Sequence, residues 1–154
     1  ASRYQQYFWK GEYFSVSAKA NTLNTLVYPV PLPNNVGLGT HATIDLSGQI
    51  KLGPNATFLP QRTYDYTVDP AGKKAIFESA RQFLPFINYE DLSPAMVGIR
   101  PKLQKPGDDV RDFIINEESA KGLPGVVNLL GIESPGLTAS ISIAKYVRKC
   151  LFHQ

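Results

Sequence analysis

Short apolar segments, separated by prolines and glycines, predict a chain built mainly of strands. Glu12 to Ala18 alternates polar and apolar side chains, a pattern typical of a strand with one buried face. The apolar run from Thr25 to Val30 predicts a second strand, and the stretch Pro31 to Asn35, rich in proline and asparagine, predicts a loop after it.

A hairpin gives the clearest local signal. The segments Gly37 to Ile44 and Gln49 to Phe58 flank Asp45-Leu-Ser-Gly48, a turn with glycine at its last position. Because side chains alternate along a strand, we expect His41 and Thr43 to share one face of the first arm.

Two helices are predicted from their capping signals. Asp69 can cap the first helix and Pro70 suits its first position, while Pro85 is expected to end or distort its last turn. Ser134 and Pro135 have the same two roles in the second helix. The residues at helical spacing, which we expect to pack on a core, are Ile76, Ala80, Phe83, Leu84 and Ile87 in the first helix and Leu137, Ile141, Ala144, Val147 and Leu151 in the second.

Three further strands complete the predicted fold. They span Met96 to Leu103, Phe113 to Asn116 and Val126 to Leu130, and the last is apolar enough to be fully buried. Six or seven strands and two main helices predict an α+β fold with a mostly antiparallel sheet, formed by residues 1–154 as one domain.

The composition fits a globular domain and excludes several classes of partner. Of the 154 residues, 43% are hydrophobic and 19% are charged, close to the globular average. The net charge of +3 comes from scattered basic residues, so we predict no nucleic-acid partner. No apolar run reaches the roughly 20 residues of a membrane span. One cysteine and two histidines without zinc-binding spacing predict no metal site, and we expect Cys150 to be buried.

The first candidate site is the segment Val126 to Ser140, in which a strand enters a helix through a glycine-containing loop. A helix N-terminus presents unpaired backbone N–H groups and a partial positive charge. These suit a phosphate, a carboxylate or the anionic edge of a reduced flavin. Gly131 and Gly136 would let the backbone approach such a ligand. The alternative is an ordinary strand-to-helix turn with a good cap.

Two side chains in apolar strands are candidate substrate contacts. Arg100 could hold a substrate carboxylate with both arms of its guanidinium, or it could form an internal salt bridge to Glu12 or Asp112. His41 could act as a general base because its proton affinity lies near neutral pH. The alternative is a structural histidine held by hydrogen bonds.

Lys10 and Tyr13 are weaker candidates. They could contact an acidic substrate or a flavin, and the alternative is a solvated lysine beside a packed tyrosine. Several signatures are absent from the sequence: no G-x-G-x-x-G follows a strand, and there is neither a P-loop nor a G-x-S-x-G elbow. The sequence therefore carries no dinucleotide-binding fingerprint.

Seven short segments occur in the order found in a known family. They are Lys10-Gly-Glu-Tyr-Phe, Leu26-Val-Tyr-Pro-Val-Pro, Gly37-Leu-Gly-Thr-His-Ala-Thr, Leu52-Gly-Pro-Asn-Ala, Gly98-Ile-Arg-Pro-Lys-Leu, Asp112-Phe-Ile-Ile and Gly131-Ile-Glu-Ser-Pro-Gly-Leu-Thr-Ala-Ser. In these segments the chain resembles the D-amino-acid-oxidase-like superfamily of FAD-dependent oxidoreductases, and within it the L-2-hydroxyglutarate dehydrogenases and their uncharacterised bacterial and fungal relatives. The resemblance spans roughly Tyr7 to Val147.

The resemblance implies that the chain is the C-terminal, substrate-side part of a longer enzyme, whose N-terminal Rossmann half holds most of the FAD. The C-terminal loop and helix, about 126–152, would contact the flavin. His41 would take the hydroxyl proton of the substrate, and Arg100 would bind its carboxylate or the flavin edge. Lys10, Tyr13 and Thr43 would be further substrate contacts. The implied flavin-contacting residues are Gly131, Ile132, Glu133, Ser134, Pro135, Gly136, Leu137 and Thr138.

The implied reaction is oxidation of a 2-hydroxy acid, with L-2-hydroxyglutarate as the expected substrate, to the 2-oxo acid by hydride transfer to FAD. The alternatives are an amine or amino-acid oxidase of the same superfamily and a non-catalytic binding or interaction domain. We expect the isolated chain to be inactive, to lack FAD and to self-associate through its uncovered apolar face. The expected location is intracellular, mitochondrial in a eukaryote and cytoplasmic in a bacterium.

Overall fold

The structure is a computed structural model that describes residues 4–17, 22–30 and 39–152. These residues form two compact units. The first, here called the sheet unit, is Phe8–Arg100. The second, here called the hairpin–helix unit, comprises the described parts of Ala1–Tyr7 and Pro101–Gln154.

A five-stranded sheet organises the sheet unit. Its strands are β1 (Tyr7–Val16), β2 (His41–Ile44), β3 (Ile50–Gly53), β4 (Thr57–Leu59) and β5 (Leu92–Lys102). β3 and β4 run antiparallel to successive parts of β1, with Phe14 opposite Leu52 and Trp9 opposite Phe58. β2 is antiparallel to β3, and β5 also pairs with β1. The predicted strand from Glu12 therefore begins earlier than expected, at Tyr7.

The predicted hairpin is confirmed as β2 and β3, and its turn forms where the sequence places it. The Asp45 carboxylate accepts hydrogen bonds from the N–H and hydroxyl groups of Ser47 and from the Gln49 N–H. The Gly48 N–H donates to the Asp45 carbonyl at 2.9 Å, and the φ of 80° at Gly48 favours glycine. The polar turn residues thus satisfy the backbone groups that the reversal of the chain exposes.

The second arm of the hairpin is shorter than predicted. It ends at Gly53, because Pro54 has no N–H to donate to a sheet ladder. The chain then pairs again only at β4, and its partner there is β1 rather than β2. Residues 37–38 of the predicted first arm lie outside the described residues, as does the predicted loop from Pro31 to Asn35.

The predicted strand from Thr25 to Val30 is wrong. In the described ranges, Val27 is the only residue of this segment that pairs, in an isolated antiparallel bridge to Ala42 of β2. Two hydrogen bonds form the bridge, from the Val27 N–H at 3.0 Å and from the Ala42 N–H at 2.8 Å. Pro29 lacks the N–H that a longer ladder would use.

The first predicted helix is confirmed, but it ends at Ala80 rather than at Pro85, and it covers the core of the sheet unit. Asp69 caps a 3₁₀ turn, Pro70–Gly72, by accepting from the Ala71 N–H at 2.9 Å, and this turn leads into α1 (Lys73–Ala80). α1 packs on β3. The buried cluster between helix and sheet contains Phe14, Val16, Ala42, Ile50, Leu52, Ile76, Ala80, Leu84, Ile87 and Leu92.

A buried polar network joins β1 to the segment that precedes α1. The Glu12 carboxylate accepts hydrogen bonds from the Asn55 amide at 2.6 Å and the Asp69 N–H at 2.8 Å, and it pairs with the Lys10 ammonium at 3.1 Å. The Asn55 side-chain oxygen accepts from the Glu12 N–H at 2.8 Å. Burial tends to raise the pKa of Glu12, but the hydrogen bonds from Asn55, Asp69 and Lys10 outweigh burial and lower it.

We expect Asn55→Ala to lower the free energy of unfolding by about 1–3 kcal/mol, because it leaves the buried Glu12 N–H and one carboxylate oxygen without a partner. The folded-state pKa of Glu12 lies below its unfolded value, so its contribution to stability is present above the unfolded pKa and is lost as the pH falls. Asn55→Ala removes a cause of the lowered pKa, and acid unfolding should therefore begin at a higher pH.

Urea unfolding of the chain at several pH values measures both effects. Asn116→Ala is the matched control, since Asn116 is exposed on the hairpin–helix unit. Equal stabilities for the two variants across the pH range would contradict the structural role of the network.

The hairpin–helix unit consists of two antiparallel strands and one long helix. They are β6 (Ile114–Glu118), β7 (Leu123–Leu130) and α2 (Gly136–Phe152). Ile114 pairs with Leu130, and α2 contacts both strands. Among the described residues, no helix is long and apolar enough to cross a lipid bilayer.

The burial predicted for this unit needs correction. β7 is not buried, since Val126 is 44% and Leu129 47% exposed. In α2 the predicted core positions Leu137 and Ile141 are 91% and 71% exposed. Ala144 is exposed as well, whereas Val147 and Leu151 are half-buried. Ala139, Ile143 and Cys150 are also half-buried, although Cys150 is predicted to be buried. α2 is apolar around much of its circumference, so its spacing alone did not identify the face that meets the strands.

Candidate active site

β2 places the imidazole of His41 inside the sheet unit, where the residue is only 4% exposed. Its Nδ1 lies 3.2 Å from the carbonyl oxygen of Gly39. Because a carbonyl oxygen only accepts hydrogen bonds, Nδ1 of the neutral ring carries the proton. The other nitrogen, Nε2, is then left as a proton acceptor, which is the form that a general base requires.

Two tyrosine rings contact the imidazole. Tyr28 stacks on it, with ring centroids 4.4 Å apart and planes inclined by 21°. Tyr13 of β1 meets it edge to face, at 6.0 Å and 70°. Tyr13 is a predicted site residue; Tyr28 is not, although it lies in the segment Leu26-Val-Tyr-Pro-Val-Pro that carries part of the family resemblance. Its position follows from the bridge between Val27 and Ala42, which places the next residue of the segment beside His41.

The electrostatic surroundings favour a neutral imidazole. Burial lowers the pKa of His41, because an imidazolium loses hydration inside the protein; the hydrogen bond to Gly39 opposes this shift and the charge of Arg100 adds to it. Burial raises the pKa of Tyr13, while Arg100 lowers it and Tyr28 raises it further. Three predicted site residues thus influence one another. The rings of His41 and Tyr13 are in contact, and the charge of Arg100 acts on both.

The internal salt bridges considered for Arg100 do not form. The Glu12 carboxylate pairs with Lys10, and Asp112 accepts from the N–H of Phe113 at 2.7 Å. Among the ion pairs of the described residues, none includes Arg100. This half-buried guanidinium, whose charge also acts on His41, therefore has capacity to bind an anion.

Lys10 and Thr43 have partners within the sheet unit. The Lys10 ammonium pairs with Glu12 and donates to the Thr67 carbonyl at 2.6 Å. The Thr43 hydroxyl donates to the Lys51 carbonyl across the hairpin at 3.4 Å. These contacts give both side chains a structural role, and their predicted contact with a substrate stays a prediction.

The loop predicted to contact a flavin lies in the hairpin–helix unit. Residues 132–138 line a shallow, open concavity of about 340 Å³. Helix α2 begins at Gly136, and the Pro135 carbonyl accepts the first helical hydrogen bond, from the Ala139 N–H at 2.9 Å. Pro135 rather than Ser134 is therefore the N-cap, a position at which the missing N–H of proline costs nothing. The predicted cap at Ser134 is wrong by one residue.

The two glycines of this loop are required by the packing of the protein itself. A Cβ on Gly131 would lie 2.8 Å from Leu103, and its φ of 66° also favours glycine. A Cβ on Gly136 would lie 2.5 Å from the side chain of Ile132. These contacts explain both glycines without a ligand, so the glycines by themselves do not indicate one.

The first turn of α2 offers hydrogen-bond donors beside a neutralised carboxylate. In the first turn of a helix the N–H groups have no helical partner, which applies here to Leu137 and Thr138. The nearby Glu133 carboxylate pairs with the Lys102 ammonium at 3.3 Å, which offsets the only negative charge among the lining residues. The described residues contain no group of three or more acidic, histidine or cysteine side chains that could hold a metal ion.

Comparisons with known proteins place the chain in the class of FAD-dependent oxidoreductases. A sequence model of the DAO family, described as FAD dependent oxidoreductase, matches residues 3–149. The chain therefore belongs to this family, and the predicted resemblance is confirmed. The predicted α+β fold with mostly antiparallel sheets and two main helices is also confirmed.

Individual relatives share both sequence and fold with the chain. The chain is 39% identical over 150 residues to the mitochondrial L-2-hydroxyglutarate dehydrogenase of Arabidopsis thaliana, a match that covers 92% of the chain and 31% of the relative. The dithionite-reduced, FAD-bound L-α-glycerophosphate oxidase of Mycoplasma pneumoniae superposes with a TM-score of 0.70 at 25% identity, over 96% of the chain and 36% of the oxidase.

For a third protein, the comparison shows only that the fold is shared. Glycine oxidase of Geobacillus kaustophilus superposes with a TM-score of 0.63 at 20% identity, over 97% of the chain and 36% of the oxidase. The chain thus spans about a third of the length of the relatives that it matches.

Proposed function

We propose that this chain is the substrate-side part of a longer FAD-dependent enzyme that oxidises a 2-hydroxy acid to the 2-oxo acid, with L-2-hydroxyglutarate as its preferred substrate. The identity of 39% to a plant L-2-hydroxyglutarate dehydrogenase supports the substrate class. This sequence has no dinucleotide-binding fingerprint, which supports the proposal that another part of the longer enzyme binds most of the FAD.

The contact between Nδ1 of His41 and the Gly39 carbonyl is the observation that carries this proposal. Oxidation of a secondary alcohol requires a base that takes the hydroxyl proton as the hydride leaves C2. The Nδ1–H of His41 is bound to the Gly39 carbonyl, so Nε2 can accept that proton. Because the pKa of His41 is lowered, the ring is in its basic form at neutral pH.

Arg100 is the proposed partner of the substrate carboxylate. Its charge acts on both His41 and Tyr13, which supports binding of an acidic substrate by the same group of residues. A guanidinium binds a carboxylate through two parallel hydrogen bonds, which fixes the orientation of the acid as well as its position.

The N-terminus of α2 fits an acceptor-rich edge of FAD. The N–H groups of Leu137 and Thr138 are the donors that would hold it, and the paired Glu133 would not repel it. When bound, FAD supplies the acceptor of the substrate hydride. The part of the chain from Gly131 to Thr138 would orient this edge.

Anaerobic mixing of the FAD-loaded, full-length enzyme with a panel of substrates tests the proposal. The panel contains both enantiomers of 2-hydroxyglutarate, lactate, glycerol 3-phosphate and glycine. We expect the visible absorbance of the flavin to bleach most rapidly with L-2-hydroxyglutarate.

Other outcomes separate the alternatives. Bleaching by glycine alone would support an amine oxidase and exclude the proposed reaction. Bleaching by glycerol 3-phosphate alone would retain a hydroxyl substrate but exclude the 2-hydroxy acid. A full-length protein that bound FAD and was bleached by none of the panel would favour a non-catalytic role.

A further inference from the structure

A short segment outside the sheet lies against the proposed base. Val27 is joined to Ala42 by two backbone hydrogen bonds, so the residues that follow Val27 run antiparallel to those that precede Ala42. Tyr28 is thereby placed opposite His41, on which its ring stacks. Pro29, the next residue, lies close to the backbone of Gly39, because a Cβ added to Gly39 would lie 3.1 Å from the Pro29 ring. The Gly39 carbonyl is the group that binds the imidazole.

We propose that Tyr28 is a positioning residue that holds the His41 imidazole in one ring orientation and one tautomer, with the proton on Nδ1 and Nε2 as the acceptor. The inference rests on the proposed function, because it assigns to Tyr28 the orientation of the group that takes the substrate proton.

Among the described residues, Tyr28 has a role that the other contacts of the imidazole do not fill. In the part of the chain that the structure describes, one hydrogen bond of 3.2 Å to Gly39 restrains the imidazole, so rotation about the Cβ–Cγ bond would have to break only this bond. A ring stacked at 4.4 Å and 21° blocks that rotation, because turning the imidazole would drive its edge into the tyrosine face. Rotation would exchange the positions of the ring carbons and nitrogens and would remove Nε2 from its place.

Tyr13 and Arg100, the other described groups that act on the imidazole, do not hold its ring orientation in the way that Tyr28 does. Tyr13 reaches the imidazole from β1 only edge to face, at 6.0 Å, and Arg100 acts from β5 through its charge. Neither covers the ring face that Tyr28 covers. Tyr28 itself is 51% exposed although the imidazole beneath it is buried, so the tyrosine forms the outer layer of this part of the site.

Nitrogen NMR of the imidazole tests the proposal on the chain itself. The sequence has only two histidines, His41 and His153, so a His41→Gln variant assigns the signals. In the unmodified chain and in Tyr28→Phe we expect a single tautomer with the proton on Nδ1. In Tyr28→Ala and Tyr28→Leu we expect averaged shifts from two tautomers. Tyr66→Ala is the matched control, since Tyr66 is also more than half exposed in the sheet unit.

Activity of the FAD-loaded, full-length enzyme gives the second readout. We expect Tyr28→Ala to lower kcat by roughly 10- to 100-fold, as misplacement of a catalytic group does, with little change in KM, and Tyr28→Phe to restore it. Tyr28→Leu keeps an apolar side chain over the imidazole but removes the aromatic face. This variant replaces Tyr28→Ala in the test if the alanine variant does not fold.

The two readouts separate the failure of this inference from the failure of the proposed function. An unchanged tautomer in both Tyr28→Ala and Tyr28→Leu would overturn the positioning role. Averaged tautomers with unchanged kcat would support the positioning role and would remove His41 as the base of the reaction.

Discussion

Replacing His41 with glutamine should lower kcat/KM for the oxidation of a 2-hydroxy acid by about 10²–10⁴-fold, the usual contribution of a general base. Glutamine can still donate to the Gly39 carbonyl, but its amide cannot take up a proton at neutral pH. Binding of the substrate through Arg100 should persist, so the loss should fall on kcat more than on KM.

Stopped-flow reduction of the flavin by substrate, together with steady-state kinetics, measures this loss in the full-length enzyme. His153→Gln is the control, because it removes the other histidine of the chain. Thermal unfolding should show that the His41 variant is folded. Turnover retained by a folded His41→Gln enzyme would exclude this residue as the base.

The pH profile of the unmodified enzyme follows from the same group. Burial and the charge of Arg100 hold the pKa of His41 below its ordinary value, with the Gly39 carbonyl opposing them. The imidazole therefore stays basic until the pH falls below the ordinary histidine value of about 6.5. The acid limb of kcat/KM should lie below this pH and should disappear in His41→Gln.

Replacing Arg100 with lysine should weaken the recognition of the substrate acid and lower kcat/KM by roughly 10- to 150-fold, since hydrogen bonds to a charged group contribute about 1.5–3 kcal/mol. Lysine keeps the positive charge but lacks the planar fork that binds both carboxylate oxygens. Arg100→Met should cost more, because it removes the charge as well.

The two Arg100 variants differ in a second observable. The charge of Arg100 lowers the pKa of His41, so Arg100→Met should shift the acid limb of the pH profile upward, whereas Arg100→Lys should shift it less. Arg62→Met is the control, because Arg62 is exposed and its guanidinium lies over the Tyr64 ring instead. If neither Arg100 variant changed KM for the acid, Arg100 would not be the carboxylate ligand.

Much of the fold of the sheet unit could be predicted from local sequence. The turn Asp45–Gly48 forms because its polar side chains and its glycine satisfy the backbone there, and these are properties of adjacent residues. The buried face of α1, with Ile76 and Ala80, follows from helical spacing in the same way. Such signals do not depend on the rest of the chain.

The predictions failed where the result depended on distant neighbours. Val126 to Leu130 is apolar and is predicted to be buried, yet within the described part of the chain β7 pairs only with β6 and is largely exposed. Apolar composition shows that a segment can be buried. How much of its surface is buried depends on which other elements pack against it. The same reason explains the exposed Leu137 and Ile141 of α2.

By itself the sequence determined the class of the fold, the family resemblance and the selection of His41 and Arg100 as candidate site residues. It could do so because turn chemistry, helical spacing and ordered motifs depend on residues that are close together in the sequence. Only the tertiary structure decided which partners these side chains meet. The Gly39 carbonyl fixes the proton of His41, Tyr28 stacks on its ring, and Lys10 rather than Arg100 pairs with Glu12. Each of these contacts depends on distances and orientations that exist only once strands from separate parts of the chain have paired.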